Sequence, residues 1–484
     1  MKNKKILMVT SECVPFAKTG GLADVLGVLP KKINELGNDC RVIMPLYRQI
    51  KEKYIDELEF IRWTTIHMGW RTMYSGLFKK EHDGVIYYFI DNEFYFNTPS
   101  IYTDYSFDIE RFSFFQRAVL DALGDPMDFY PDVLHCHDWQ TGMIPCLLDA
   151  HYRPNGYFLD IKTVYTIHNL QYQGVHGVSQ VADFMDLPSS YLTEYGVLHN
   201  GVPNFMKAGI VYSDLITTVS PNYAKEIMTS FYGKGLNGVL KSFEYKVKGI
   251  LNGIDMDSYN PETDPDIVKN YNLDTVYNDK VENKLALQRE LALEENKDIP
   301  LITMVTRLVD QKGLDLLIRV VDELMQENCQ LVILGTGDGY YEHEMYLAEE
   351  RNKKNFRGCV MYDSAMSRRL YASGDIFLMP SIFEPCGLSQ MISMRYGTVP
   401  FVRETGGLKD TVTAYNIETG EGNGFSFPNI NAHDMLFLMK KALNLYQNDR
   451  NSWNNIIRNG MVGDFSWDKS AKEYDESYNE LLEQ

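Results

Sequence analysis

Lys18-Thr19-Gly20-Gly21-Leu22-Ala23-Asp24-Val25 decides how this sequence reads, because it stands where a buried strand turns into a helix. The residues before it, Lys5-Ile6-Leu7-Met8-Val9-Thr10, form an apolar run of the kind found in parallel strands covered on both faces. The residues after it carry Leu22, Val25, Leu26 and Leu29 at helical spacing, which predicts a helix starting near Gly21. Strand, glycine turn and helix together make an anion-binding arrangement. Two glycines admit close approach of a ligand, the helix start offers unpaired N–H groups, and Lys18 adds a positive charge. The plain alternative is a tight βα turn. An echo favours the functional reading: Glu404-Thr405-Gly406-Gly407-Leu408-Lys409-Asp410 repeats T-G-G-L-x-D after a second apolar run, Val399-Pro400-Phe401-Val402. It suggests two α/β halves, each offering a glycine turn to a shared cleft.

Outward from the turn, the same rhythm continues. Asp39-Cys40-Arg41-Val42-Ile43-Met44-Pro45 reads as a second strand, residues 55–96 as strands with hairpin-like turns, and residues 107–123 as a helix. Three more strands end in polar or turn residues: Pro131 to Trp139, Lys162 to Asn169, and Leu215 to Pro221. Lys248 to Asp255 reads as the last strand of the first half, and the polar stretch that follows, up to Ile299, holds the domain junction. Alternation restarts with strands at 301–307, 330–335 and 375–380, so a second parallel sheet is expected. Gly335-Thr336-Gly337-Asp338-Gly339 has its third glycine misplaced for a dinucleotide fingerprint and reads as a turn. The last 25 residues read as a helix.

A chain of 484 residues exceeds one core and is expected to form two to four domains. Its formal charge of −19 argues against nucleic-acid or acidic-membrane partners, so any phosphate ligand needs a local basic cluster. Seven scattered cysteines form no Cys-x-x-Cys pair and fit a reducing cytoplasm. Glu12 interrupts the first apolar run before a signal peptide's core could form, and no run approaches membrane-spanning length.

The basic cluster is Arg307-Leu308-Val309-Asp310-Gln311-Lys312-Gly313, just past a strand of the second half. Arg307 offers a bidentate fork and Lys312 a point charge, enough to grip one diphosphate; an ordinary solvated pair is the alternative. Ser381-Ile382-Phe383-Glu384-Pro385-Cys386-Gly387-Leu388-Ser389-Gln390 lies on the same strand-end edge, with a lone carboxylate suited to a ligand. His135 and His137 share one face of their strand, but two histidines without a third ligand point to hydrogen-bonded core or substrate contacts rather than a metal.

In order along the chain, the Lys18 octet, His137-Asp138-Trp139, Thr166-Ile167-His168-Asn169, Thr218-Val219-Ser220-Pro221, Gly249-Ile250-Leu251-Asn252-Gly253, Arg307 to Gly313, Phe383 to Leu388 and Thr405 to Leu408 resemble the bacterial glycogen synthases and plant starch synthases. The resemblance implies an α/β GT-B fold, two Rossmann-like doubly wound parallel-sheet domains facing a cleft. It implies an N-terminal acceptor-side domain over residues 1–254, a C-terminal nucleotide-sugar domain over 255–458, and a helix over 459–484 crossing back to the first. The implied reaction moves glucose from ADP-glucose to the non-reducing-end 4-hydroxyl of an α-1,4-glucan with retention, in the cytoplasm, with no metal or other cofactor.

Carried over by position, Lys18, Arg307 and Lys312 are expected to hold the diphosphate, Glu384 to face the glucosyl ring, and Asp138, His168 and Asn252 to line the sugar side. Glu384, Lys312, Arg307 and His168 are the implied catalytic set. Gly20, Gly21, Tyr362, Gly387, Leu388, Ser389, Gly406 and Gly407 are the further implied contacts to ADP-glucose. Related retaining transferases often carry a second glutamate where this chain has Ile392, so same-face attack is expected rather than double displacement. A sucrose- or trehalose-type glucosyltransferase and a non-catalytic glucan-binding protein are the alternatives, and the oligomeric state stays open.

Overall fold

The computed structural model describes residues 3–483. The chain divides into two compact units, Met1–Gly253 with Trp467–Gln484, and Ile254–Ser466. Residues 459–466 therefore stay with the second unit, and the return to the first begins at Trp467, the first residue of the closing helix Trp467–Leu482. No helix among the described residues is long and apolar enough to cross a membrane.

The first unit is built on β1 (Lys5–Val9), β2 (Asp39–Pro45), β3 (Glu59–Met68), β4 (Arg71–His82), β5 (Val85–Asp91), β6 (Val133–His137) and β7 (Lys162–Ile167). After a two-stranded ribbon, β8 (Leu198–His199) with β9 (Val202–Pro203), come β10 (Leu215–Thr218) and β11 (Val247–Gly249). The sheet runs β11-β10-β7-β6-β1-β2-β5-β4-β3. It is parallel from β11 to β5, while β4 and β3 complete it antiparallel, as the hairpin pattern of residues 55–96 predicts. Ile6, Leu7, Met8 and Val9 have no exposed surface, as a strand covered on both faces requires. The helix expected over 107–123 spans Tyr105–Ala122, because the Asp104 side chain caps it by accepting from Ser106 N and Phe107 N. The strand expected over 248–255 is only Val247–Gly249; at Gly249 the chain presses so close to Ser220 O that a Cβ would lie 2.5 Å away.

From β1 the chain passes to β2, runs to the edge at β3 and comes back through β4 to β5 beside β2, then crosses to β6 on the other side of β1 and winds outward. Right-handed crossovers place the helices of the two directions on opposite faces. The reversal opens a crevice between the carboxyl ends of β1 and β6, the place where such sheets bind ligands. The Lys18 loop follows β1 and Asp138 follows β6.

The second unit repeats the design with β12 (Leu301–Val305), β13 (Gln330–Gly335), β14 (Phe356–Val360), β15 (Ile376–Met379), β16 (Val399–Arg403) and β17 (Phe425–Phe427), all parallel, in the order β14-β13-β12-β15-β16-β17. Its switch point lies between β12 and β15, so the Arg307–Lys312 loop and the Glu384 loop are neighbours. The two α/β halves that the T-G-G-L echo suggests are both present, but its copies do not occupy equivalent places: the first follows β1, the opening strand of its sheet, whereas the second follows β16. The topological counterpart of the Lys18 loop is the loop after β12.

Trp453 anchors the second core, 1% exposed, near-parallel to Phe425 at 6.0 Å and edge-on to Tyr446 at 5.1 Å. Trp453→Ala is expected to destabilise this unit by about 3–5 kcal/mol. Chemical denaturation followed by probes in each unit should show an earlier transition for the second unit alone.

Candidate active site

In the second unit the two loops at the switch point are joined by one ion pair. Lys312 Nζ lies 2.7 Å from Glu384 Oε2, with side chains 15% and 8% exposed. Ser381 Oγ donates to the same oxygen at 3.0 Å. Backbone contacts hold the loops in register: Ile382 N donates to Gln311 O at 2.8 Å, and Gln311 Nε2 to Phe383 O at 3.2 Å. Gly313 must be glycine, since its φ is +70° and a Cβ would sit 2.0 Å from Pro380 O. Arg403, buried at the end of β16, donates from Nε to Ser381 O at 2.7 Å and from Nη2 to Ile382 O.

Arg307 is exposed, and among the described residues it has no ion-pair partner. Its loop is backed by the Gly335–Gly337 turn: Leu308 N donates to Thr336 O at 2.9 Å, and Asp338 N to Leu308 O at 2.8 Å. A Cβ at Gly335 would lie 1.8 Å from Thr306 O and one at Gly337 2.2 Å from Leu308 O. The turn reading of that motif stands, and its glycines let the turn support Arg307. Gly406 and Gly407 similarly fit the chain's own packing, for added Cβ atoms would meet Glu384 O at 1.8 Å and Cys386 O at 2.1 Å. Gly387 takes φ +71°. Leu388 precedes the helix Ser389–Arg395, which starts several residues after Glu384, and Ser389 Oγ is bonded to Tyr371 OH at 3.0 Å. Tyr362, in the loop after β14, is 85% exposed. Ile392 is buried, so no second carboxylate enters this loop.

In the first unit the glycine turn is organised by a residue that sequence reasoning passed over. Glu12 is buried; its carboxylate accepts from Thr19 N, from Thr19 Oγ1 at 2.7 Å, from Gly20 N at 3.2 Å and from Tyr102 OH at 2.6 Å. Two of the turn's N–H groups thus already serve an internal anion, which leaves Lys18 as the turn's main electrostatic feature. Lys18 Nζ pairs with Asp24 Oδ1 at 2.6 Å and its side chain is 42% exposed. Gly20 has φ −155°, open to any residue, and a Cβ there would meet nothing within 4 Å. The chain's own packing does not demand glycine at this position.

At the ends of β6 and β7, Asp138 Oδ1 accepts from His168 N at 2.8 Å and Asn169 N at 3.4 Å, tying the two strand-end loops together. Asp138 holds φ +56°, a costly backbone conformation for a residue with a side chain. Burial, opposed by those backbone bonds, pushes its carboxyl up to about 7, although part of the residue stays open to solvent. His135 and His168 are buried and driven down to about 3, and His137 well below its ordinary value, so all three imidazoles are neutral. His137 Nδ1 lies 3.0 Å from His168 Nε2. Asn252, after β11, is buried with its side-chain oxygen unpartnered. Among the described residues no group of three or more His, Cys, Asp or Glu is arranged to hold a metal ion.

The second unit therefore offers one cation, Lys312, held by a carboxylate beside an exposed Arg307, and the first a row of neutral or weakly acidic hydrogen-bonding groups. Glu12, Gln311, Ser381 and Arg403 were the supporting residues that pattern reading missed. The one available signal was a charged residue ending an apolar run, which holds for Glu12 and Arg403.

Asp138 also yields a stability prediction. Its carboxyl is raised from 3.8 to about 7, so the folded chain binds more protons than the unfolded one between those values, and stability falls as pH rises through that window. Asp138→Asn removes this loss. Relative to the unaltered protein, the variant is expected to gain stability from pH 5 to pH 7.5 in chemical denaturation; a difference that shrinks over that range would contradict the assignment.

The chain matches two family models, the starch synthase catalytic domain over residues 5–242 and glycosyl transferases group 1 over residues 289–460. It is 49% identical to a glycogen synthase of Clostridioides difficile over 99% of this chain and 100% of the relative. It is 48% identical to a glycogen synthase of Geobacillus stearothermophilus over 99% and 98%. The solved catalytic domain of starch synthase IV from Arabidopsis thaliana, bound to ADP and acarbose, superposes with a TM-score of 0.92 at 33% identity, covering 100% of each chain. Sucrose-phosphate synthase from Thermosynechococcus elongatus, at 15% identity and a TM-score of 0.63, shares the fold alone. With two switch points, each lined by the expected loops, and full-length likeness to glycogen synthases, this chain is a glycosyltransferase of GT-B fold that belongs to the glycogen synthase family.

Proposed function

We propose that the chain acts in the cytoplasm, transferring glucose from ADP-glucose to the 4-hydroxyl at the non-reducing end of an α-1,4-glucan, with retention and without a metal ion. The Lys312–Glu384 pair carries this reading, because it fixes a cation at the switch point of the nucleotide-sugar unit before any ligand arrives. Arg307, exposed on the same loop, supplies the bidentate partner for the diphosphate. The relative solved with ADP and acarbose supports a nucleotide and an α-glucan as ligands of this family.

In the proposed reaction the acceptor oxygen bonds to the anomeric carbon as the bond from that carbon to the phosphate oxygen breaks. The acceptor's proton goes to the departing phosphate, on the same face of the sugar. Lys312 and Arg307 stabilise the negative charge that develops there. Glu384 orients Lys312 and faces the sugar; already engaged by Lys312 and Ser381, and with Ile392 in place of a second glutamate, it suits an electrostatic role better than a nucleophilic one. Gly20, free of any packing requirement, fits close approach of the donor to the first unit's turn. Asp138, His168 and Asn252 supply the hydrogen bonds expected of a sugar-binding edge.

Incorporation of labelled glucose into glycogen tests the proposal. ADP-glucose should support a higher kcat/KM than UDP-glucose, and excess EDTA should leave the rate unchanged. Strict dependence on magnesium or manganese, or equal use of small sugars in place of glycogen, would overturn it.

A further inference from the structure

His137 has no role in that reaction, yet its contacts decide which nitrogen of His168 carries a proton. His137 Nδ1 and His168 Nε2 are 3.0 Å apart, and both rings are buried. Each neutral ring holds a single proton, so one of the two must donate to the other. The deciding observation is His137 Nε2, which is sealed from solvent and has no hydrogen-bond partner. A proton on that nitrogen would leave a buried N–H without an acceptor. A proton on Nδ1 leaves only an unfilled lone pair, the lesser cost.

We infer that His137 donates its Nδ1–H to His168 Nε2, locking His168 in the tautomer that presents an Nδ1–H donor to a hydroxyl oxygen of the bound hexose. The His137 ring is held in place for this task. His135 stacks on it with centroids 4.2 Å apart and planes 30° apart. His135 is tied at both nitrogens, to Tyr478 OH at 2.8 Å and Thr166 Oγ1 at 2.6 Å, so the packed pair resists rotation. With His168 Nε2 taken by His137, Nδ1 is the nitrogen left to meet a ligand. His137 is then a positioning residue acting through His168, and the hexose contact rests on the proposed reading of His168.

Neutron diffraction from deuterium-exchanged crystals of the unaltered protein reads the assignment directly. Deuterium is expected on Nδ1 of both His137 and His168, and its presence on His168 Nε2 would overturn the inference. Kinetics supply the second test. His137→Leu removes the donor and should lower kcat about tenfold. His137→Asn, whose amide N–H replaces Nδ1–H, should stay within about threefold of the unaltered enzyme, with ADP affinity unchanged in both. Equal impairment of the two variants would mean that His137 contributes shape and not a proton, and the positioning role would fail. If the deuterium pattern is as stated but His168→Ala leaves kcat intact, the tautomer assignment stands and the sugar-facing role of His168 falls.

Discussion

The bond from Lys312 to Glu384 is the constraint on which the site depends. It joins the loop after β12 to the loop after β15, which share an edge only because the strand order reverses between them. Both groups are largely out of water, so removing either leaves a buried charge uncompensated, at a cost of about 3–5 kcal/mol. Such a pair adds little net stability compared with an apolar packing of the same volume. What it supplies is a lysine whose position is set in advance, which matters where charge must be met as it develops. The surrounding backbone serves the same end through Gln311, Arg403 and the close-packed glycines 313 and 406.

Apart from Lys18, on the loop after β1 and paired with Asp24, the two units gather different chemistry at their strand ends. The second sets Lys312 against a carboxylate beside an exposed Arg307, as the proposed diphosphate contact requires. The first collects neutral imidazoles, a carboxyl raised toward neutrality and an unpartnered amide oxygen, a setting for the uncharged hydroxyls of a sugar. The chain's formal charge of −19 makes the local character of the cations more telling, since nothing in the overall balance would concentrate a phosphate ligand.

The architecture was legible because buried parallel strands are nearly unbroken apolar runs, and their polar tips mark the carboxyl edge of the sheet. That pattern locates the loops holding Lys18, Asp138, His168, Arg307, Lys312 and Glu384. It failed where function depends on pairing at a distance. Glu12 occupies the donors of the glycine turn, and nothing in its local sequence says that it reaches Thr19 and Gly20. The T-G-G-L echo pointed to two α/β halves, which are present, but four similar residues cannot report which strand they follow; the loop equivalent to the first copy carries Arg307 and Lys312 instead. Glycine itself proved ambiguous. At 406 and 407 neighbouring carbonyls require it, at 20 nothing in the chain does, and only geometry separates those cases.

A double-mutant cycle on kcat with Lys312→Met, Glu384→Gln and the pair together tests most directly whether the ion pair works as one unit. If Glu384 acts by holding Lys312 where the leaving phosphate becomes negative, each single change should lower kcat by about 10²–10³ and the double change by little more than the worse single. Losses that multiply would show two independent contributions and contradict the account.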